Sequence, residues 1–192
     1  GAGELLGGNQ SGFIDSVGME LYVELLREAI AQRKGEPIAN PEVISASPIK
    51  LDAYLPEGFT SDDGESLELY QLIERIDSFN GLLDFNEMIL DRYGKLPLSV
   101  SMLLEKKRLE LFLDDARVSQ FKENPQGIEL RFTKEYSGKV DGMKLFEVVS
   151  NTSSDIKIKY IDQEIRLTIP FYDEWVTDLI HILQNTDNHL LN

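Results

Sequence analysis

Residues 87–97, with the sequence Glu-Met-Ile-Leu-Asp-Arg-Tyr-Gly-Lys-Leu-Pro, constrain the fold most because they predict the junction of two helices. Apolar residues at helical spacing end at Tyr93, and Gly94 can adopt the left-handed conformation that terminates a helix. Pro97 has its φ angle fixed near the helical value, which suits the first turn of a new helix. The sequence therefore predicts a helical corner in which Gly94 and Pro97 are the structural residues.

The composition indicates an acidic chain with enough apolar residues to form a core. Of 192 residues 42% are hydrophobic, and 34 acidic residues outnumber 19 basic ones, which gives a net charge of −15. This balance argues against general nucleic-acid binding, which depends on Lys and Arg at the phosphates, and favours a basic protein partner or a solvated surface.

The number of cysteines and the length of the apolar runs indicate the cellular compartment of the chain. The lack of cysteine excludes disulfides and thiolate sites and fits a reducing, cytoplasmic compartment. No apolar run approaches the ~20 residues of a membrane span. Because the sequence starts at Gly1 and not at Met, we expect a piece of a longer protein.

Three segments divide the chain on sequence grounds. Residues 1–35 begin with a glycine-rich loop and continue as a long amphipathic helix. The loop lacks the Gly-Lys-Ser/Thr of a P-loop and the spacing of a dinucleotide fingerprint, which excludes a nucleotide site there. Residues 36–64 contain four prolines and predict an extended crossing segment with short edge strands at 43–44 and 49–51. Residues 65–192 predict a domain of helices and hairpins.

The helices of this last segment are predicted from apolar spacing. We expect helices over residues 66–77, from there to Tyr93, and from Pro97 to about Asp114. The third is expected to bury Val100, Leu103, Leu104, Leu111 and Phe112. Asp141 can cap a further helix that carries Met143, Phe146 and Val149. A final helix passes through Trp175, Leu179, Ile182 and Leu183, and we expect the polar tail after it to be frayed.

Alternating apolar and polar residues predict four strands in the last third of the chain. The strands are expected at residues 118–122, 128–133, 156–160 and 165–169, with turns at 124–127 and 162–163. Helices come first, hairpins follow, and there is no βαβ rhythm. The fold class is therefore α+β, with helices in the first two thirds and a small, mainly antiparallel sheet flanked by helices in the C-terminal part.

Known catalytic constellations are missing from the sequence. The histidines, His181 and His189, match no metal-binding spacing, and there is no serine-nucleophile signature. We expect no metal site and no catalytic residue. The acid pairs Asp62-Asp63, Asp114-Asp115 and Asp173-Glu174 leave open an acid-based hydrolase, although each is equally an ordinary surface pair in so acidic a chain.

Three stretches of the chain resemble one protein family. Residues 1–12, Gly-Ala-Gly-Glu-Leu-Leu-Gly-Gly-Asn-Gln-Ser-Gly, resemble the end of the translocation motif in bacterial transcription-repair coupling factors and the related fork-reversing helicase. Residues 13–26 resemble the linking helix of the coupling factors. Residues 91–97, Asp-Arg-Tyr-Gly-Lys-Leu-Pro, resemble the Asp-Arg-Phe/Tyr-Gly-x-Leu-Pro corner of their C-terminal domain. The resemblance spans essentially the whole chain.

The resemblance implies a regulatory module of a large DNA-translocating ATPase that removes stalled RNA polymerase and recruits nucleotide excision repair. It implies that ATP and Mg bind elsewhere in the full-length protein and that this chain holds no cofactor. In the family the C-terminal domain docks on the N-terminal module of the same protein, masks its surface for the excinuclease A protein and autoinhibits the motor. RNA polymerase, DNA and the excinuclease A protein are then partners of other domains.

The resemblance also implies candidate site residues. The family places acids of the helix before the corner in the docking contact, and Asp91 matches one of them. The other acid, three residues earlier, is replaced by Met88, with Glu87 beside it. The implied docking surface is Glu87, Asp91 and Arg92. Gln10 matches the glutamine that helps to couple ATP hydrolysis to movement, but the arginine that precedes it in the motif lies outside this chain.

Overall fold

A computed structural model describes residues 14–34, 50–186 and 190–191 of the chain. The chain divides into two compact units, one within residues 12–108 and the other containing the residues from Leu109 onward. The segment boundaries predicted at residues 35 and 64 stay predictions. In the part of the chain that the structure describes, no helix has the length and apolarity needed to span a bilayer.

The first unit is mainly helical. Its elements are β1 (Asp15–Ser16), α1 (Val17–Lys34), β2 (Lys50–Leu51), α2 (Asp63–Glu74), α3 (Phe79–Tyr93) and the first part of α4 (Leu98–Leu113). The strand expected at residues 49–51 is present as β2, which pairs in parallel with β1. The strand expected at 43–44 lies outside the described residues.

The start of α1 approaches the backbone after β2 very closely at Gly18. The Gly18 N–H donates a hydrogen bond to the Ala53 carbonyl over 2.8 Å. A Cβ atom at Gly18 would lie 2.6 Å from that same oxygen, closer than van der Waals contact allows. Only glycine therefore permits this approach, although glycine weakens a helix elsewhere.

Helix α2 begins three residues earlier than the sequence predicted. The Asp62 carboxylate accepts a hydrogen bond from the Glu65 N–H at 2.8 Å, which caps the helix at Asp63. The buried face of α2 consists of Leu69, Tyr70 and Ile73. The Tyr70 hydroxyl accepts a bond from the Leu55 N–H at 2.8 Å, which fixes the extended segment before the helix.

The predicted corner between α3 and α4 is confirmed. Helix α3 ends at Tyr93, and Gly94 adopts a φ angle of +72° while its N–H donates to the Leu90 carbonyl at 2.9 Å. Helix α4 begins at Leu98, and the Pro97 carbonyl accepts the first helical hydrogen bonds, from Val100 and Ser101.

The buried face of α4 differs from the predicted one in its last turns. Val100, Leu103, Leu104 and Phe112 are buried as expected, but Leu111 is only half-buried. Leu109 and Leu113 occupy fully buried positions instead. The prediction for Leu111 was wrong because leucines occupy several sides of this helix, so apolar spacing alone does not define which side packs.

The second unit is built around an antiparallel sheet. Its elements after α4 are β3 (Val118–Asn124), β4 (Gly127–Phe132), α5 (Lys134–Lys139), α6 (Gly142–Thr152), β5 (Lys157–Ile161), β6 (Glu164–Pro170) and α7 (Trp175–Gln184). The strand order is β3-β4-β6-β5, and all neighbours are antiparallel. The predicted α+β class is confirmed, and all four predicted strands are present.

One face of the sheet forms the core of this unit. Ile128, Leu130 and Phe132 of β4 are fully buried, as their alternation predicted. The residues expected on the last helix are buried too, at Trp175, Leu179, Ile182 and Leu183. Asp162 and Gln163 both have positive φ angles, so they form the tight turn between β5 and β6.

Three features of this unit were not predicted correctly. Helix α5 was missed, although the Thr133 hydroxyl caps it by accepting from the Tyr136 N–H. Helix α6 carries Met143, Phe146 and Val149 as predicted, but the prediction did not identify its buried face, which is formed by Leu145 and Val149 while Met143 and Phe146 are 79% and 54% exposed. The tail is not frayed at Leu190, which is buried and whose carbonyl accepts from the Asp141 N–H at 2.7 Å.

We expect Gly18→Ala to destabilise the chain. The added methyl group would press on the Ala53 carbonyl, and overpacking of this kind lowers the free energy of unfolding by about 1–3 kcal/mol. Urea denaturation followed by circular dichroism measures the change. Gly138→Ala in α5, where nothing lies within 4 Å of the new Cβ, is the control and should raise stability by about 0.5–1 kcal/mol. Equal effects at the two positions would contradict the close approach.

Candidate interaction surface

The solvent-facing side of α3 combines three acids with two exposed leucines. Asp84, Glu87 and Asp91 are spaced three and four residues apart, so they lie along one side of the helix. Leu83 and Leu90 flank them and are 55% and 43% exposed. We call these five residues the α3 stripe. The opposite side of the helix is buried through Leu82, Phe85 and Ile89.

The three acids of the α3 stripe are available for a partner. All three are exposed, and none makes an ion pair or a hydrogen bond with any residue that the structure describes. They lie beside exposed leucine side chains rather than in a purely polar setting. Such a stripe can bind a surface on which basic side chains border an apolar patch.

The predicted docking residues are only partly brought together. Glu87 and Asp91 are one helical turn apart on the α3 stripe, whereas Met88 is half-buried beside them. Arg92 points elsewhere, because its guanidinium Nη2 lies 2.9 Å from Oε1 of Glu65 in α2. Arg92 therefore ties α3 to α2 and is already paired within its own unit.

The Glu65 carboxylate is the centre of a hydrogen-bonded cluster that holds the corner. It accepts bonds from the N–H of Ser61, at 2.8 Å, and from the Ser61 hydroxyl. The Tyr93 hydroxyl at the end of α3 donates to the other carboxylate oxygen. The Tyr93 ring also stacks on Phe59 with 4.5 Å between centroids. The loop before α2 and the last turn of α3 are thus joined through one acid.

The contacts within this cluster shift the pKa values of Glu65 and Tyr93 in opposite directions. Hydrogen bonds from the Ser61 hydroxyl, from Tyr93 and from the Ser61 backbone, together with the Arg92 charge, lower the pKa of Glu65 to about 2. Burial and the Glu65 carboxylate raise the pKa of Tyr93 to about 12. Glu65 is therefore ionised and Tyr93 is a hydrogen-bond donor throughout the neutral range.

The remaining predicted site residues have varied positions. Gly94 and Pro97 form the corner, as described above. Gln10 and His189 lie outside the described residues, so the coupling role of Gln10 stays a prediction. His181 lies exposed on α7, where Asn185 donates to its backbone carbonyl at 2.8 Å.

The acid pairs that could serve a hydrolase stand at three different helix ends. Asp62 caps α2, and Asp115 accepts from the Arg117 side chain at 2.8 Å, so each has a structural role. Asp173 and Glu174 are exposed before α7. Among the residues that the structure describes, no group of three or more His, Asp or Glu side chains is placed to hold a metal ion.

Sequence reasoning missed Asp84, Leu83 and Leu90 on α3, and it missed Glu65. The signal for Asp84 was its spacing from Glu87 and Asp91, which repeats the helical turn. The signal for Glu65 was the acid-x-x-Glu pattern from Asp62, which is typical of a helix start. One partner of Glu65, Tyr93, is 28 residues away in sequence, and no local pattern predicts that contact.

Comparison with known proteins identifies the family. Residues 49–143 match the family model of the TRCF domain. The chain is 29% identical over 188 residues to the transcription-repair-coupling factor of Bacillus subtilis strain 168, covering 96% of this chain. It is 30% identical over 183 residues to that of Staphylococcus haemolyticus strain JCSC1435, covering 93% of this chain. The chain belongs to the transcription-repair coupling factor family.

The chain corresponds to only a part of its family members. It spans 16% of the length of the Bacillus relative and 15% of the Staphylococcus one. A solved structure described as the C-terminal domain of transcription-repair coupling factor matches with a TM-score of 0.53 and 24% identity. That match covers 71% of this chain and 86% of the other, and it shows a shared fold. The coupling-factor resemblance drawn from the corner and the glycine-rich start is therefore confirmed at the level of the family.

We expect Glu65→Gln to change the acid sensitivity of the chain. Because the folded-state pKa of Glu65 is below its ordinary 4.5, its ionised form stabilises the fold above that pH. This contribution is lost as the pH falls towards 2. The Tm of Glu65→Gln should therefore be lower than that of the parent chain at pH 7, and the gap should shrink between pH 5 and pH 2.

Thermal unfolding followed by circular dichroism at pH 7, 4 and 2 measures this gap. Glu74→Gln, an exposed acid at the end of α2, is the matched control and should leave the Tm difference small at every pH. A gap for Glu65→Gln that stays constant from pH 7 to pH 2 would argue against the carboxylate cluster.

Proposed function

We propose that this chain is the C-terminal regulatory module of a bacterial transcription-repair coupling factor and docks through the α3 stripe on the N-terminal module of the same protein. The observation that supports the proposal is the set of three exposed acids, Asp84, Glu87 and Asp91, which make no ion pair or hydrogen bond with any residue that the structure describes. Docking would mask the surface of the N-terminal module for the excinuclease A protein and so autoinhibit recruitment of repair.

The chemistry of the α3 stripe suits a contact that can be released. Exposed ion pairs contribute about 0.2–1 kcal/mol each and weaken with salt, so three pairs alone give modest affinity. Leu83 and Leu90 add apolar area, which strengthens the contact by about 25 cal/mol for each Å² removed from water. A contact of this strength can hold two modules of one chain together and still yield to a competing partner.

The remaining activities of the whole protein are proposed for its other domains. These are ATP and Mg binding, translocation on DNA, and contacts with RNA polymerase and the excinuclease A protein. Gln10 would take part in coupling ATP hydrolysis to movement only within the intact motor. We propose a cytoplasmic location and no catalytic step within the 192 residues. No observation favours the acid-based hydrolase, whose candidate acids stand at separate helix ends.

The first test removes the charges of the α3 stripe without changing its shape. We expect Glu87→Gln with Asp91→Asn to weaken binding to the isolated N-terminal module about 3- to 10-fold, since two exposed ion pairs are lost. Isothermal titration at about 50 mM and about 500 mM salt measures affinity, and the parent chain should lose affinity at high salt.

The matched control removes two exposed acids from the second unit, Glu147→Gln with Asp173→Asn. It changes the net charge equally and should leave the affinity nearly unaltered. Docking through the α3 stripe is wrong if both double variants bind as the parent chain does at low salt.

The second test concerns the leucines of the α3 stripe. We expect Leu83→Ala with Leu90→Ala to weaken the same binding about 10-fold while the salt dependence stays that of the parent chain, because apolar burial is lost and charge is kept. Titration at the same two salt concentrations checks this. Exposed Leu98, which lies beyond the corner, gives the control variant Leu98→Ala. If the double leucine variant binds with full affinity, Leu83 and Leu90 do not take part in the contact and only the acids of the α3 stripe do.

A further inference from the structure

The outer face of the four-stranded sheet carries five cations in an otherwise acidic chain. They come from all four strands and comprise Lys122 of β3, Arg131 of β4, Arg166 of β6, and Lys157 and Lys159 of β5. We call these residues the basic sheet face. The opposite face of β4 and β6 is buried, whereas every residue of the basic sheet face is exposed or half-buried. About a quarter of the chain's 19 Lys and Arg residues is thus gathered on one surface.

The strand register places three of these cations side by side. Arg131 lies directly opposite Arg166, and Arg166 lies directly opposite Lys159. Adjacent strands are about 4.8 Å apart, and like charges at directly opposite positions destabilise a sheet. Uncharged polar residues at these positions would keep the face soluble without repulsion between neighbouring charges. The row is therefore not explained by the fold alone, which is typical of functional surfaces.

Part of the positive charge on the basic sheet face is not neutralised. The Nε atom of Arg131 pairs with Glu129 at 2.6 Å, and the Nη2 atom of Arg166 lies 3.3 Å from Asp162 and 3.9 Å from Glu164, so the charge that is left without an acid lies on the lysines. Lys122 and Lys159 are exposed and make no ion pair or hydrogen bond with any described residue.

We propose that the basic sheet face binds an acidic α-helix of a partner protein. The row from Arg131 to Lys159 spans two strand spacings, or about 10 Å. Acids at positions i, i+3 or i+4, and i+7 of a helix span about 10 Å along its axis. A helix laid across the strands would therefore place one carboxylate near each cation of the row. Guanidinium groups can bind such carboxylates with two parallel hydrogen bonds.

Edge protection and nucleic-acid binding fit the basic sheet face less well than an acidic helix does. Lysines on β5 could simply protect an exposed sheet edge, but Arg131 and Arg166 lie on the two inner strands. Nucleic acid would gain from aromatic side chains for base stacking, and the strand register places none on this face. Glu129 and Glu164 lie between the cations, so the face lacks the continuous basic track that a long polyanion needs, whereas a helix presents separate carboxylates.

The test uses a fluorescein-labelled 15-residue helical peptide with glutamates along one side and alanine elsewhere. Fluorescence anisotropy at about 50 mM salt measures its binding to the 192-residue chain. We expect binding that is lost for the matched peptide with glutamine in place of glutamate. Lys122→Gln with Lys159→Gln should weaken it about 3- to 10-fold, since the two exposed cations are removed without breaking an ion pair or hydrogen bond between described residues.

The control variant removes two exposed lysines outside the sheet, Lys95→Gln with Lys134→Gln, and should bind the peptide as the parent chain does. Equal weakening by both double variants, or no binding of the glutamate peptide, overturns the proposal. A 15-nucleotide thymidine oligomer that binds more tightly than the peptide and is weakened by Lys122→Gln with Lys159→Gln would also overturn it. Glu87→Gln with Asp91→Asn keeps all five cations of the basic sheet face, so we expect it to leave the peptide affinity unchanged.

Discussion

One carboxylate, that of Glu65, fixes the geometry on which the first unit's candidate surface depends. It receives bonds from Ser61 in the preceding loop and from Tyr93 and Arg92 at the end of α3. A helix that ends in a glycine could leave its last turn in several orientations, because glycine places little restriction on the backbone. The four contacts to Glu65 remove that freedom. The direction of α3, and hence of its solvent-facing side, follows from an acid that lies on another helix.

The same cluster separates the acids that have structural roles from those that do not. Asp62 caps α2, and Glu65 holds the corner by pairing with Arg92. Arg92 is the only basic residue in the last turn of α3. Asp91, next to it in sequence, makes no ion pair with any residue that the structure describes, and it stands at the end of the helix where its charge is least favourable. An acid placed against the helix dipole and without a partner contributes nothing to folding. Its presence is easier to explain by recognition of a basic partner.

The sequence predicted those features whose physical cause is local. Alternation fixed the four strands because residues two apart share a face, and Gly94 marked the corner because few residues adopt a φ angle of +72°. Leu111 was misplaced because several sides of α4 are apolar and only tertiary packing chooses among them. The role of Arg92 could not be read from residues 87–97, since its partner Glu65 precedes it by a whole helix. The basic sheet face could not be predicted from the negative net charge, because the strand register brings its cations together and composition does not show the register.

Net charge is thus a poor guide to the partners of this chain. The total of −15 excludes a general polyanion binder, but it does not describe either surface. The α3 stripe in the first unit is acidic, whereas the row of Arg131, Arg166 and Lys159 in the second unit is basic. A partner binds through the charges that it contacts, so the sign of each surface decides what it can bind, and the sum over the chain does not. A module with two surfaces of opposite sign can engage two chemically different partners, and salt would weaken both contacts without making either partner a competitor of the other.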